Sequence, residues 1–198
     1  MKPFRSSPNG EVIEAGSSEP ASQPFAHLEP ESDMINEFRG KNLFLSSFFP
    51  YVGNQRESVE APAPILWKGK LYKTREHLYQ ATKTTLVEEV ARIRNAETPA
   101  LAKALGKRCT LRPGFNQMRL QVMEQIITAQ YTQHPFLALR LLRTEDQELV
   151  EGNRWGDTFW GVDLRSNPPQ GQNHLGKLQM KVRRLLQHKH ICEASTGL

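Results

Sequence analysis

The order of apolar and polar positions along the chain predicts short strands near the start of its folded part. The apolar run NLFLSSFFP (42–50) suits a buried strand. The segment ILWKGKLYK (65–73) predicts a hairpin of two short strands, with Lys68 and Gly69 in a tight turn whose positive φ glycine supplies. Between them, the polar and Pro-rich segment 51–64 predicts a loop.

Helical spacing begins after the hairpin. One helix is predicted from Thr74 to about Asn95, where apolar positions follow a helical period. A second has Thr98 as its N-cap, Pro99 at the first helical position and Gly106 just past its end. Proline at the start and glycine at the end make this the clearest local pattern in the chain.

Three more helices follow from the same spacing. The first covers 115–133, where apolar residues recur every three or four positions: Phe115, Met118, Val122, Ile126 and Ala129. The second begins at Pro135, and the last runs from about Gln172 to His188. The intervening segment 153–172 contains too many Gly, Pro and Asn residues for a helix, although its FWGVDL stretch could form a short strand.

Composition divides the chain into a tail and a domain. Residues 1–40 are rich in Ser, Pro, Gly and Glu and contain 3 Lys/Arg against 7 Asp/Glu, whereas the remainder contains 23 against 14. We therefore predict a flexible acidic tail over 1–40, one folded domain over 41–190, and a short C-terminal tail over 191–198.

The basic domain favours an anionic partner such as a phosphorylated metabolite, a nucleotide or nucleic acid. A solvated, soluble surface explains the charge equally well. Cys109 and Cys192 lie far apart and outside any metal-ligand spacing, so we expect reduced thiols and no metal site. No apolar run approaches the roughly 20 residues that span a bilayer. These features predict a cytoplasmic protein.

Two groups of residues could carry chemistry. In REHLYQATK, helical geometry places Glu76, Gln80 and Lys83 on one face, with Glu76 in the first turn, where the helix dipole favours its ionised form. Taken alone, this helix favours an ordinary solvated stripe over an active site, because charged helix faces are usually solvated.

The second group is the loop NRWGDTFWGVD, which combines an asparagine, two tryptophans and two aspartates: Asn153, Trp155, Asp157, Trp160 and Asp163. Nucleobases and similar planar ligands stack on indole rings, contributing about 1–3 kcal/mol per base. A loop that is anchored by its tryptophans, with the aspartates capping turns, is an equally good interpretation. The sequence leaves both open.

Five motifs in this order resemble the NADAR, or YbiA-like, family. They are FLSSFFP (44–50), EHLYQATK (76–83), LGKRCTLRP (105–113), NRWGDTFWG (153–161) and NHLGKLQMKVR (173–183). The resemblance covers residues 42 to about 187. This chain departs from the family pattern at Ser47, where the family usually has Asn, and at Gly114-Phe115, where it usually has Asp-Trp.

The resemblance implies an α+β, mostly helical single domain that cleaves N-glycosidic bonds without a metal or organic cofactor. Two kinds of substrate are implied. One is the phosphoribosylamino-pyrimidine intermediates of riboflavin synthesis, and the other is ADP-ribose attached to a nucleobase, including guanine in nucleic acid. The partner is then a phosphorylated ribosyl or ADP-ribosyl substrate, with no membrane involved; the oligomeric state is not predicted.

Breaking such a bond needs a carboxylate near the sugar and a proton donor for the base. We expect Glu76 to be that carboxylate, with Asp157 as its nearest rival. The predicted substrate-binding residues are Gln80, Lys83, Arg112, Asn153, Trp155, Trp160, Asp163 and Asn173, with Trp155 or Trp160 stacking on the base or sugar and Lys83 with Arg112 neutralising phosphates. The competing functions are a non-catalytic module that binds ADP-ribose or nucleic acid, and a structural adaptor that docks through its acidic tail.

Overall fold

The computed structural model describes residues 33–53 and 55–196, and helices dominate this part of the chain. Its α-helices are α1 (Arg75–Ala81), α2 (Val87–Arg94), α3 (Pro99–Gly106), α4 (Phe115–Gln133), α5 (Pro135–Leu142) and α6 (His174–Thr196). The strands are β1 (Met34–Ile35), β2 (Ile65–Trp67), β3 (Lys70–Tyr72), β4 (Glu148–Leu149), β5 (Gly152–Asn153) and β6 (Val162–Asp163), and a 3-10 helix spans Gly40–Leu45. This is the mostly helical α+β fold that the motifs implied.

The strands of the described residues form two-stranded sheets that connect segments outside the helices. β1 pairs with β4 and β5 with β6, both in parallel, while β2 and β3 form the predicted antiparallel hairpin. The hairpin turn has φ of 47° at Lys68 and 74° at Gly69. Positive φ at both central residues is the geometry that favours glycine in two-residue turns.

The core surrounds α1. This helix packs against α2, α3 and α4, and α4 packs in turn against α6. The fully buried aliphatic side chains come from these helices and their neighbours and include Leu78, Ile93, Ile126, Ile127, Leu137 and Leu141. Burial of apolar side chains is the main force stabilising such a fold, and here it also fixes α1, the helix that carries Glu76.

The strand predicted for 42–50 is wrong, because this run is buried as a 3-10 helix and a turn. Its backbone carbonyls are bound by side chains instead of a neighbouring strand. Arg75 donates through Nη2 to the Phe44 carbonyl (3.0 Å) and the Ser46 carbonyl (2.9 Å), and Gln179 donates to the Leu45 carbonyl. Apolar residues therefore predicted the burial of this segment correctly but not its backbone geometry.

The single helix predicted for 74–95 is two helices, separated at Thr82–Leu86. Threonine hydroxyls compete with the helical backbone there: Thr82 donates to the Tyr79 carbonyl (2.6 Å), and Thr84 Oγ1 accepts from the Leu86 N–H (3.2 Å). The predicted N-cap Thr98 is confirmed by its hydrogen bond, and Thr74, where the first helix was predicted to begin, is the N-cap of α1.

The domain begins before the predicted boundary at residue 41. Strand β1 pairs with β4, and Phe38 is buried in the core, so residues 34–40 belong to the fold. Most of the predicted tail, 1–32, lies outside the described residues. At the other end, α6 continues past the predicted His188 to Thr196 and includes much of the predicted C-terminal tail.

Candidate active site

Glu76 lies in the first turn of α1 and is buried, with 6% of its surface exposed. Thr74 caps the helix by accepting from the His77 N–H (3.2 Å), and the Glu76 N–H donates to the Ser47 carbonyl (3.0 Å). The 44–50 turn therefore covers the start of α1. The solvated-stripe interpretation of this helix face is wrong, because its central carboxylate is enclosed by protein.

The Glu76 carboxylate is surrounded by groups that act on its charge in opposite directions. Burial raises the pKa of Glu76 above its usual value, and nearby Asp157 adds to the rise. Lys103, the hydrogen bond from Gln80 Nε2 to Glu76 Oε1 (2.7 Å) and Lys83 all favour the ionised form. A buried carboxylate with a hydrogen-bond donor and two cations nearby can become charged without water.

Gln80 owes its position to Gly106 of α3. The two helices approach so closely here that a Cβ placed on Gly106 would lie 2.1 Å from Gln80 Oε1. Gln80 is 3% exposed, so it cannot move aside into solvent. Gly106, which the sequence predicted to mark the helix end, therefore allows α3 to pack closely against Gln80, whose Nε2 donates to Glu76.

Three lysines gather on the α3 side of the site. The Lys83 ammonium lies 5.3 Å from the centre of the Tyr79 ring; burial lowers its pKa, Glu76 raises it, and Lys103 and Lys107 lower it further. Lys103 also lies over the Phe48 ring at 5.8 Å. Like charges this close are costly unless an anion balances them, so the cluster is suited to bind phosphate.

Asn153 organises the loop NRWGDTFWGVD (153–163), here called the Trp/Asp loop. It has no free polar atom for a substrate. Its Nδ2 donates to the carbonyls of Asp157 (2.8 Å) and Val162 (3.0 Å), and its Oδ1 accepts from the N–H groups of Trp155 (3.3 Å) and Asp157 (3.0 Å). The side chain is fully buried. We therefore assign it to holding the loop.

Asp157 fits both interpretations of this loop. Its Oδ1 caps a turn by accepting from the N–H groups of Phe159 (3.2 Å) and Trp160 (2.9 Å). The same carboxylate interacts electrostatically with Glu76. The turn thus holds a second carboxylate in the electrostatic environment of Glu76.

The two tryptophans of the loop occupy different places. Trp160 is half-buried and meets the Tyr79 ring edge-on at 5.4 Å and the Phe159 ring at 5.0 Å, which joins the loop to α1. Trp155 is 55% exposed, with the Arg39 guanidinium 5.7 Å from its ring. Trp160 therefore packs against the helix that carries Glu76, and Trp155 lies on the surface.

Of the remaining predicted residues, Arg112 is connected to the site through its main chain. Its N–H donates to the Lys83 carbonyl (2.7 Å), while its guanidinium contacts Met118 Sδ (2.8 Å) and lies over the Phe115 ring. Asp163 forms an ion pair with Arg165 (2.8 Å). Arg165 occupies both carboxylate oxygens of Asp163, whereas the Arg112 Nε is buried without a hydrogen-bond partner among the described residues.

Asn173 also has a structural position. It adopts φ of 50°, donates through Nδ2 to the Leu149 carbonyl (2.9 Å) and accepts at Oδ1 from the Glu151 N–H (3.1 Å). It therefore fixes the backbone where the chain leaves β4 and turns towards the Trp/Asp loop.

The sequence reasoning missed Glu151 and Lys103. Burial raises the pKa of Glu151 to about 8, with Arg75 acting against the rise and Asp157 adding to it. Glu151 stands two positions before the Asn153 that was singled out, and Lys103 lies three residues before Gly106. Neither has a motif of its own; a helical wheel of α3 places Lys103 one turn before Gly106 but does not show which helix that face of α3 meets.

Two features are absent from the described residues. No group of three His, Cys, Asp or Glu side chains is arranged there to hold a metal ion. Within the same residues, no helix is both long and apolar enough to cross a bilayer.

Comparison with known proteins identifies the family. A model of the NADAR domain matches residues 37–187. An N-glycosidase of Nostoc punctiforme is 35% identical over 128 residues, which are 62% of this chain and 80% of that protein. A riboflavin biosynthesis protein of Vibrio vulnificus is 34% identical over 167 residues, 83% of this chain and 39% of that protein.

The fold leads to the same family. The NMR structure of the E. coli protein YbiA matches with a TM-score of 0.65 and 28% identity, covering 80% of this chain and 88% of that one. The matched range of the family model, 37–187, contains all five motifs. The resemblance seen in the five motifs is confirmed, and the chain belongs to the NADAR domain family.

Proposed function

We propose that this protein hydrolyses the N-glycosidic bond between a nucleobase-like group and a phosphorylated ribose. Its relatives are named N-glycosidases, and the chain is a hydrolase that acts on N-glycosyl bonds. The observation that carries the substrate assignment is the buried Glu76 carboxylate, on whose charge Lys83 and Lys103 act and whose helix packs through Tyr79 against Trp160.

Cleavage of the bond places positive charge on the anomeric carbon of the sugar and negative charge on the departing nitrogen. An ionised Glu76 stabilises the first charge or removes a proton from the attacking water. The hydrogen bond from Gln80 and the charges of Lys83 and Lys103 favour this ionised state. Asp157 adds negative potential from the opposite loop.

The phosphate of the substrate is assigned to Lys83, Lys103 and Lys107. This assignment is supported by the electrostatic interaction of Lys83 with each of the other two lysines, both of which lower its pKa. A phosphate group would relieve their repulsion while holding the ribose beside Glu76. Arg112 would contribute through its connection to Lys83 more than through its own guanidinium.

Two substrates are candidates: a phosphoribosylamino-pyrimidine, which the name of the Vibrio vulnificus relative favours, and guanine carrying ADP-ribose. Incubation of the protein with each substrate, followed by chromatography of the released sugar phosphate, tests the proposal. We expect release from at least one of them. Binding of both without release by the wild-type protein would favour the alternative of a non-catalytic module.

That alternative is disfavoured by the charges of the site. A module that only binds phosphate gains nothing from buried acidic groups beside the anion, since their charge opposes the ligand. Here Glu76, Glu151 and Asp157 all act within one electrostatic neighbourhood. Bond cleavage gives such groups a use that binding does not.

A further inference from the structure

Glu151 is held in a fixed orientation where the chain enters β5. Its N–H donates to Asn173 Oδ1 (3.1 Å), and its carbonyl accepts from the Val162 N–H (2.9 Å). Gly161 packs directly against it: a Cβ there would lie 2.1 Å from the Glu151 carbonyl oxygen and 3.1 Å from its Cγ. The side chain therefore leaves the backbone in a direction set by its neighbours.

The carboxyl group of Glu151 faces the catalytic neighbourhood. Four charged groups from different parts of the fold act on it: Arg75 from α1, Lys103 from α3, Arg39 from the segment before the 3-10 helix, and Asp157 from the Trp/Asp loop. Lys103 and Asp157 are also the groups that act on Glu76. Glu76 and Glu151 thus share two charged neighbours, Lys103 and Asp157.

The two glutamates differ in their hydrogen bonds. Glu76 Oε1 accepts from Gln80, whereas Glu151 Oε2 is buried and accepts no hydrogen bond from the described part of the chain. A buried carboxylate without a donor is poorly stabilised, so its proton is retained. The site therefore contains one carboxyl whose charged form is favoured by a hydrogen-bond donor and nearby lysines, and one carboxyl whose Oε2 lacks such a donor.

We propose that Glu151 is the acid that protonates the leaving nitrogen, a role that rests on the proposed N-glycosidase function. As the bond between the anomeric carbon and nitrogen breaks, its electron pair stays on nitrogen, which takes the proton of Glu151. Water adds its oxygen to the anomeric carbon and gives a proton to Glu76. Return of that proton to Glu151 through solvent restores both groups, and the net reaction consumes one water.

The test compares wild-type protein with Glu151→Gln over pH 5.5 to 9.5, using whichever of the two substrates the wild type cleaves. Because protonated Glu151 is required and its pKa is about 8, wild-type kcat should fall about tenfold per pH unit above that value. The Glu151→Gln variant should lose about 100-fold or more in kcat at pH 7, keep its KM, and lose the alkaline fall. Glu148→Gln, the same change at an exposed strand position, serves as the control and should match the wild type.

A substrate with an activated leaving group separates proton donation from structural support. Nitrophenolate leaves without a proton, so 4-nitrophenyl riboside 5-phosphate should be cleaved by Glu151→Gln at nearly the wild-type rate. Equal losses on both substrates, or an alkaline fall that persists in Glu151→Gln, would overturn the role of Glu151. If Glu151→Gln does not fold, the wild-type pH profile decides alone, and a flat profile up to pH 9.5 overturns the role. Absence of turnover by the wild type with every substrate would overturn the proposed function itself.

Discussion

Trp155 and Trp160 lie five positions apart in one loop, but only Trp160 packs against α1. Trp160 packs on Tyr79, the residue three positions after Glu76, while Trp155 is mostly exposed beside Arg39. A ring that packs against the helix that carries Glu76 is available for stacking on a base that is held near Glu76. The structure thus favours Trp160 for a role that the sequence had left to either tryptophan.

We predict that Trp160→Ala raises the dissociation constant of a non-cleavable substrate analogue about tenfold, since stacking contributes about 1–3 kcal/mol per base. Calorimetric titration of the folded variants measures this. Trp155→Ala is the matched control, and its affinity should stay within about twofold of the wild type. A larger loss in Trp155→Ala than in Trp160→Ala would assign the stacking ring to the exposed tryptophan.

At the scale of elements, α1 is tied to the α2–α3 connection through His77. Its ring Nδ1 pairs with the Thr74 hydroxyl (2.9 Å), and Nε2 pairs with the Ala96 carbonyl (3.2 Å). Burial lowers the pKa of His77 to about 4. The unfolded chain, in contrast, takes up this proton near the ordinary value of about 6.5.

The free energy of unfolding should therefore fall as the pH drops from about 6.5 towards 4. Over this range His77 binds a proton in the unfolded state but remains neutral in the native state. For this group the loss is about 2–3 kcal/mol at pH 4.5. Urea unfolding of wild type and His77→Gln at pH 7 and pH 4.5 measures the difference. The variant should lose less stability on acidification by this amount, and equal losses in the two proteins would contradict the assignment.

The close contact between α1 and α3 gives a second prediction for these elements. Gly106→Ala places a methyl group against Gln80 Oε1, so either the helices separate or Gln80 gives up its hydrogen bond to Glu76. We expect a loss of about 1–3 kcal/mol in unfolding free energy together with reduced turnover. Thermal unfolding and activity assays test it, with Ala104→Ser on the exposed face of α3 as control. An unchanged Gly106→Ala protein would show that this contact has no role.

At the scale of the whole molecule, the sequence correctly predicted elements that depend on turn and capping residues within a few positions. The hairpin at Lys68-Gly69 and the helix starts at Thr98 and Pro135 were correct because turn and capping residues act within a few positions. The strand prediction for 42–50 was wrong because carbonyl groups of this segment accept hydrogen bonds from Arg75, which is distant in sequence. Periodicity reports burial, but it does not report which partner binds the backbone.

The site was predictable only where its residues belong to motifs. Glu76 and Gln80 lie one turn apart on a helix, so their neighbourhood follows from sequence alone. Glu151 and Lys103 reach the same neighbourhood through the packing of β5 and α3, which no local pattern encodes. Asn153 was predicted to bind substrate, but its side chain is hydrogen-bonded to the main chain of its own loop. The sequence does not show which polar side chains of a loop are used in this way.

Single-turnover cleavage by Glu76→Gln tests the central claim, that Glu76 is the carboxylate that acts on the sugar. The change keeps the shape of the side chain and removes its charge, so cleavage should slow by about 100-fold or more while the substrate still binds. Glu88→Gln, an exposed glutamate in the first turn of α2, is the control and should retain the wild-type rate. A Glu76→Gln protein that cleaves at a near wild-type rate would contradict the claim.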